Sequence, residues 1–153
     1  MTKTKIHQGG CQCGAIRYGV SGATIWSAGC CCRDCAKATG TPYIVWVGFP
    51  PNRVKFLSEK PQIRTSSQGV LRGFCRNCGT SLTYGRDPAF EAVEPTLYVA
   101  AATLDDPEAY PPTEVVWYGQ RPTWFELSGN IPLHETISPK NAARAYSQVL
   151  KMT

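Results

Sequence analysis

The sequence predicts a mainly β fold with one short internal helix and a helical C-terminal tail. Short runs rich in aromatic and β-branched residues recur along the chain, as a pleated, half-buried surface favours. Twelve Pro and 14 Gly punctuate those runs and break any long helical pattern. Only two stretches read as helix. In chain order the predicted strands are Lys5–Gly9, Ala15–Val20, Ile25–Ala28, Tyr43–Gly48, Val54–Leu57, Ile63–Ser66, Val70–Phe74, Ser81–Tyr84, Thr96–Ala101 and Glu114–Trp117. The internal helix is Arg33–Thr39, closed by Gly40 as a natural C-terminal cap. The tail helix is Ser138–Lys151, with Ser138 as N-cap and Pro139 at the first helical position. In it Ala142, Ala145, Tyr146 and Val149 form one apolar stripe, which allows packing on the domain or on a second copy as a homodimer. Asp105–Pro112 reads as a loop within one unit, and the length of 153 residues suits one domain spanning 1–153.

Composition narrows the function classes. At 42% apolar and 18% charged the chain is globular and not disordered. The net charge of +5 is spread thinly, with no basic face interleaved with aromatics, so nucleic-acid binding is not expected. No run approaches the ~20 apolar residues of a spanning helix, and the opening MTKTKIHQGG has no apolar core, so neither a membrane anchor nor a secretory leader is expected. The expected setting is the cytoplasm, with reduced thiols. Eight Cys is too few for a disulfide-built miniprotein, and these thiols need another explanation.

All eight fall into three tight groups: Cys11 and Cys13; Cys30, Cys31, Cys32 and Cys35; Cys75 and Cys78. Zinc takes four soft or borderline ligands at tetrahedral corners, and paired cysteines one or two residues apart suit it. Cys13 and Cys78 each precede a glycine, which permits the positive φ of a tight metal-binding turn. The likeness pairs the first and third groups as one four-thiolate, structural site: Cys11, Cys13, Cys75 and Cys78. The second group runs straight into the short helix. Cys30, Cys32 and Cys35 can share one zinc from that segment and leave a fourth position open, the layout of a catalytic zinc. Cys31 then points elsewhere, because alternate side chains diverge in an extended segment. Other readings stay open. A zinc ribbon could join Cys32 and Cys35 to Cys75 and Cys78, although residues 36–74 make a longer gap than the ~15–20 of compact ribbons. Cys32–Cys35 could be a redox pair, or the second cluster could be purely structural.

The strings GGCQCGAIRY (9–18), CCCRDCAKATG (30–40) and RGFCRNCGTSL (72–82) resemble, in order, the three motifs of the glutathione-dependent formaldehyde-activating enzyme (GFA)/centromere-protein-V family, over residues 6–125. The resemblance implies zinc-bearing folded sheets of the β-tent type. It also implies two zincs per chain, a structural one on Cys11, Cys13, Cys75 and Cys78 and a catalytic one on Cys30, Cys32 and Cys35. Cys31 stands where the family motif often has His.

Three thiolates outweigh a zinc dication and weaken it as a Lewis acid, which disfavours hydrolysis through an acidified water. A thiol substrate suits such a thiophilic site better. The expected function is a zinc-dependent carbon–sulfur lyase acting on the adduct of a small thiol such as glutathione with a small aldehyde, an S-hydroxymethyl-glutathione-like compound. The alternative is a non-catalytic, zinc-stabilised protein-binding module, which a fourth ligand from Cys31 would favour. A substrate thiolate adds negative charge to the site, so Arg33, Lys37 and Arg72 are candidate cations, beside the metal or at substrate carboxylates. The four Trp residues read as core, and His7 and His134 as hydrogen-bonded or surface groups.

Overall fold

A computed structural model of the chain describes residues 5–90 and 95–139. Each predicted strand run forms a strand, with ends moved by a residue or two. They are β1 Ile6–Gly10, β2 Arg17–Ser21, β3 Trp26–Cys30, β4 Ile44–Phe49, β5 Val54–Phe56, β6 Gln62–Ser67, β7 Val70–Phe74, β8 Ser81–Arg86, β9 Leu97–Ala100 and β10 Glu114–Val116. The helix α1 spans Arg33–Thr39 as expected, and the remaining helical pieces are single 3₁₀ turns. The predicted tail helix lies outside the described residues beyond Pro139, which is itself helical.

Two sheets divide the strands. A three-stranded antiparallel sheet has the order β1-β2-β5, and a seven-stranded sheet has the order β10-β3-β4-β9-β8-β7-β6. In the latter only β10 runs parallel to its neighbour, β3. Because side chains alternate along a strand, the large sheet offers two different faces. Val47, Phe49 and Val99 turn to one face, joined by Leu82, the unpaired residue where the β7–β8 ladder slips, and share a core with Ile16, Tyr18 and Val20 of the small-sheet hairpin. Trp46, Tyr84, Tyr98 and Ala100 turn to the other, where they pack with Cys30 and Cys35. Strand alternation, with the slip at Leu82 in β8, thus separates an inter-sheet core from an aromatic face carrying the second cysteine group. The buried Tyr18 hydroxyl satisfies itself on Thr103 Oγ1 at 2.7 Å.

Two local features place the site. The β7–β8 ladder slips at Gly73/Phe74, immediately before Cys75. Such a bulge re-aims the chain as it leaves the sheet. At the other end, Gly40 closes α1 at φ 71° with its N–H on the Ala36 carbonyl at 2.8 Å. No atom lies within 4 Å of where a Cβ would sit on Gly40. Gly40→Ala therefore costs only backbone strain, about 1 kcal/mol, and is expected to lower the thermal midpoint by roughly 3 °C. A melt followed by circular dichroism checks this.

Candidate metal centres

The first centre is built from two hairpin turns, one from each sheet. Cys11 and Cys13 lie in the β1–β2 turn, where the Gly14 N–H bonds to the Cys11 carbonyl at 3.1 Å. Cys75 and Cys78 lie in the β7–β8 turn, where the Gly79 N–H bonds to the Cys75 carbonyl at 2.7 Å. Gly14 and Gly79 have φ of 80° and 78°, the left-handed conformation that each turn needs. The four sulfurs lie within 4.8 Å of one another, with Cys11–Cys13 at 3.5 Å and Cys13–Cys75 at 3.8 Å. Thiolates at the corners of a zinc tetrahedron sit about 3.8 Å apart, so the donor set fits that ion. Surrounding donors are aimed at the sulfurs: Ile16 N–H at Cys11 (3.2 Å) and Asn77 Nδ2 at Cys13 (3.3 Å). The Thr80 hydroxyl and backbone N–H hold the Cys78 thiol down to about 5. Cys11 and Cys75 also belong to the inter-sheet core, so this centre joins the two sheets where they pack.

The second centre comes from one segment. Cys30 ends β3, Cys32 is the N-cap of α1, and Cys35 sits one turn into it, donating its N–H to Cys32 Sγ at 3.3 Å. Their three sulfurs also lie within 4.8 Å of one another, a set that suits zinc with one position left over. Cys30 and Cys35 are buried and Cys32 half-buried. In this trio Cys35 is the preferred thiolate. Hydrogen bonds from Cys30 and then Cys32 bring it down to about 2, against the opposing effect of burial, while the same contacts push Cys30 up. Trp46 Nε1 is buried without a well-formed hydrogen bond of its own, yet it adds to the stabilisation of the Cys35 thiolate. An orphaned donor against a cluster of sulfurs is what a site for an anionic metal–thiolate group presents.

The three candidate cations are placed very differently. Arg72, in β7, is buried. Its Nη1 and Nη2 lie 3.8 and 3.7 Å from Cys35 Sγ, and its Nε donates to Ser66 Oγ at 2.9 Å. The Tyr84 ring lies beneath the guanidinium, 5.2 Å from it. Arg33 and Lys37 are exposed, four residues apart on one side of α1, with the buried Cys35 on the other. The Arg33 backbone N–H does serve the segment, bonding to Gln120 Oε1 at 2.9 Å. Gln120 follows Trp117, whose φ of 56° is the one left-handed non-glycine among the described residues. That strained turn ends β10 and packs Trp117 against the second cluster.

Cys31 stands apart. It is 1% exposed and packs with Val115 and Tyr118 in a separate apolar cluster, and that burial pushes its thiol up to about 11. Of the tryptophans, Trp46 is buried, Trp26 and Trp117 are half-buried, and Trp124 is exposed. His134 Nε2 sits 3.0 Å from Glu114 Oε2, and the other oxygen of that carboxylate accepts from Trp26 Nε1. Sequence reasoning missed this Glu114 anchor, and it missed Arg64. The signal for Arg64 lay in the β6–β7 hairpin around Gly69, whose register sets Arg64 opposite Arg72.

The structure defines a two-sheet β protein with a four-cysteine cluster between its sheets and a three-cysteine cluster on an aromatic face, each of which could hold a metal ion. The chain is a member of the family described as glutathione-dependent formaldehyde-activating enzyme, whose model matches residues 6–120. Its fold is similar to the crystal structure of a Rhodobacter sphaeroides protein, with a TM-score of 0.52 at 16% identity, covering 82% of this chain and 98% of that one. No helix among the described residues is long and apolar enough to cross a membrane.

Proposed function

We propose that the protein is a zinc-dependent carbon–sulfur lyase that makes or splits the adduct of a glutathione-type thiol with a small aldehyde. Family membership supports the substrate class. The observation that carries the reading is the three-cysteine cluster with a buried guanidinium against one of its sulfurs. Cys30, Cys32 and Cys35 would hold the catalytic zinc, which supplies a thiophilic position for the substrate sulfur at neutral pH. In the reaction the thiolate sulfur bonds to the aldehyde carbon, the carbonyl π pair moves to oxygen, and that oxygen takes a proton from water. Splitting runs the same path backwards.

The chain's own groups do three things for this step. Arg72 offsets the negative charge that the cluster and an incoming thiolate build up. Trp46 and Ile44, with Tyr84 and Tyr98, form an apolar floor that keeps bulk water from the sulfurs. The short α1, capped by Cys32 and Gly40 and tied to Gln120, fixes Cys35 relative to Cys30. A non-catalytic module would be better served by a fourth protein ligand, and Cys31 packs in a different cluster.

Metal analysis of the purified chain is expected to give two zincs. Cys35→Ser is expected to lower this toward one and to abolish catalysed adduct formation from glutathione and formaldehyde, followed by nuclear magnetic resonance. A Cys35→Ser chain that keeps both metals, or a wild-type chain that accelerates no thiol–aldehyde pair, would sink the proposal.

A further inference from the structure

We infer that an open cavity beside α1 receives a carboxylate of the thiol substrate, and that Arg64 is the residue that reads it. This rests on the thiol-adduct function proposed above and deepens it. The cavity holds about 220 Å³ and lies between Ala38 of α1 and the strands β6–β8, with Arg64, Arg72, Gly79 and Ser81 in its wall. Drug-sized ligands fill roughly 300–1,000 Å³, so this space is too small for a whole tripeptide but suits one acidic end of it.

Among the described residues the wall contains two guanidiniums and no acidic side chain. Arg72 is committed elsewhere: it is 3% exposed and its nitrogens serve Ser66, Cys35 and, at 3.7 Å, Asp34. Arg64 is its opposite number across the β6–β7 ladder, and residues paired in register share a sheet face. It therefore stands on the face that carries Arg72, but it is exposed and makes no ion pair with any described residue. A guanidinium's planar fork matches a carboxylate bidentately, whereas a lysine offers only a point charge. The sequence Arg64, Arg72, Cys35 thus runs from an accessible cation through a buried one to the proposed reacting cluster. A thiol whose carboxylate pairs with Arg64 is held where its sulfur can approach that cluster, which favours acidic thiols over neutral ones.

The test uses the zinc-loaded full chain and calorimetric titration with glutathione and with glutathione esterified at both carboxyls. Wild type is expected to bind glutathione about tenfold more tightly than the diester. Arg64→Ala is expected to erase that difference by weakening glutathione alone, and Arg64→Lys to restore part of it. Arg53→Ala, which removes an arginine outside the cavity wall, is the control and is expected to change neither. If Arg64→Ala leaves the glutathione preference intact, or weakens both ligands equally, the carboxylate seat is wrong while the lyase reading stands. If wild type binds neither thiol, both are wrong.

Discussion

Replacing Cys75 by Ser is expected to cost the protein one of the two proposed metals and to lower its thermal midpoint by at least about 10 °C. Cys75 is 1% exposed and belongs to the core between the sheets, alongside Leu82 and Val99. Its sulfur lies 3.8 Å from Cys13 in the opposite turn, so it is a point at which the small sheet is fastened to the large one. Structural zinc sites contribute about 10–16 kcal/mol in small peptides, as much as the whole ~5–15 kcal/mol that keeps a typical domain folded. Loss of one thiolate need not remove all of that, because three sulfurs and a water can still hold an ion weakly. The loss should nevertheless exceed anything a single apolar contact supplies. The matched control is Cys31→Ser, which alters a buried cysteine outside both metal sets, and it is expected to keep two zincs. A strong chelator should reproduce the Cys75→Ser melt in wild type. A Cys75→Ser chain with two zincs and a midpoint within a few degrees of wild type would overturn the structural assignment.

Much of this arrangement was legible in the sequence because it is local. Strand runs such as Val70–Phe74 declare themselves through composition, and α1 through its Gly40 stop and the cysteines ahead of it. The grouping of the seven cysteines was readable from glycine placement, since Gly14 and Gly79 serve similar turns. What the sequence hid was long-range. The split of ten strands into two sheets, and the parallel entry of β10 beside β3, depend on pairing between segments far apart in the chain. Periodicity carries no term for such pairing. Strand ends moved for similar reasons: Trp117 continues the apolar run of β10 but turns left-handed to reach the second cluster. The same limit explains the cations. Arg33 and Lys37 are next to the cysteines in sequence yet exposed, whereas Arg72 is 37 residues from Cys35 and against its sulfur.

That buried contact sets the second large effect. Arg72→Met is expected to weaken the metal at the second cluster by about a hundredfold and to leave the first untouched. A guanidinium with a side chain only 4% exposed has lost most of its hydration, and something must replace it. Asp34 cannot supply enough: its carboxylate is 3.7 Å away and 63% exposed, so water screens it. Ser66 and the Tyr84 face are neutral. The cysteine sulfurs are therefore the principal counter-charge of Arg72, and Arg72 is theirs. With zinc on Cys30, Cys32 and Cys35 as proposed, taking the cation away would leave a buried, net-negative metal–thiolate group uncompensated, and breaking one side of such a pair typically costs about 3–5 kcal/mol. Part of that is recovered where Cys32 is half-exposed and water can enter. Arg72→Lys separates charge from shape. It keeps a positive group but cannot serve Ser66 and two approaches to Cys35 together, so about a tenfold loss is expected. Competition with a chromogenic chelator, which reads the two sites as a tight and a weaker step, distinguishes these outcomes. If Arg72→Met titrates as wild type does, the thiolate charge at Cys35 is balanced by something other than this arginine.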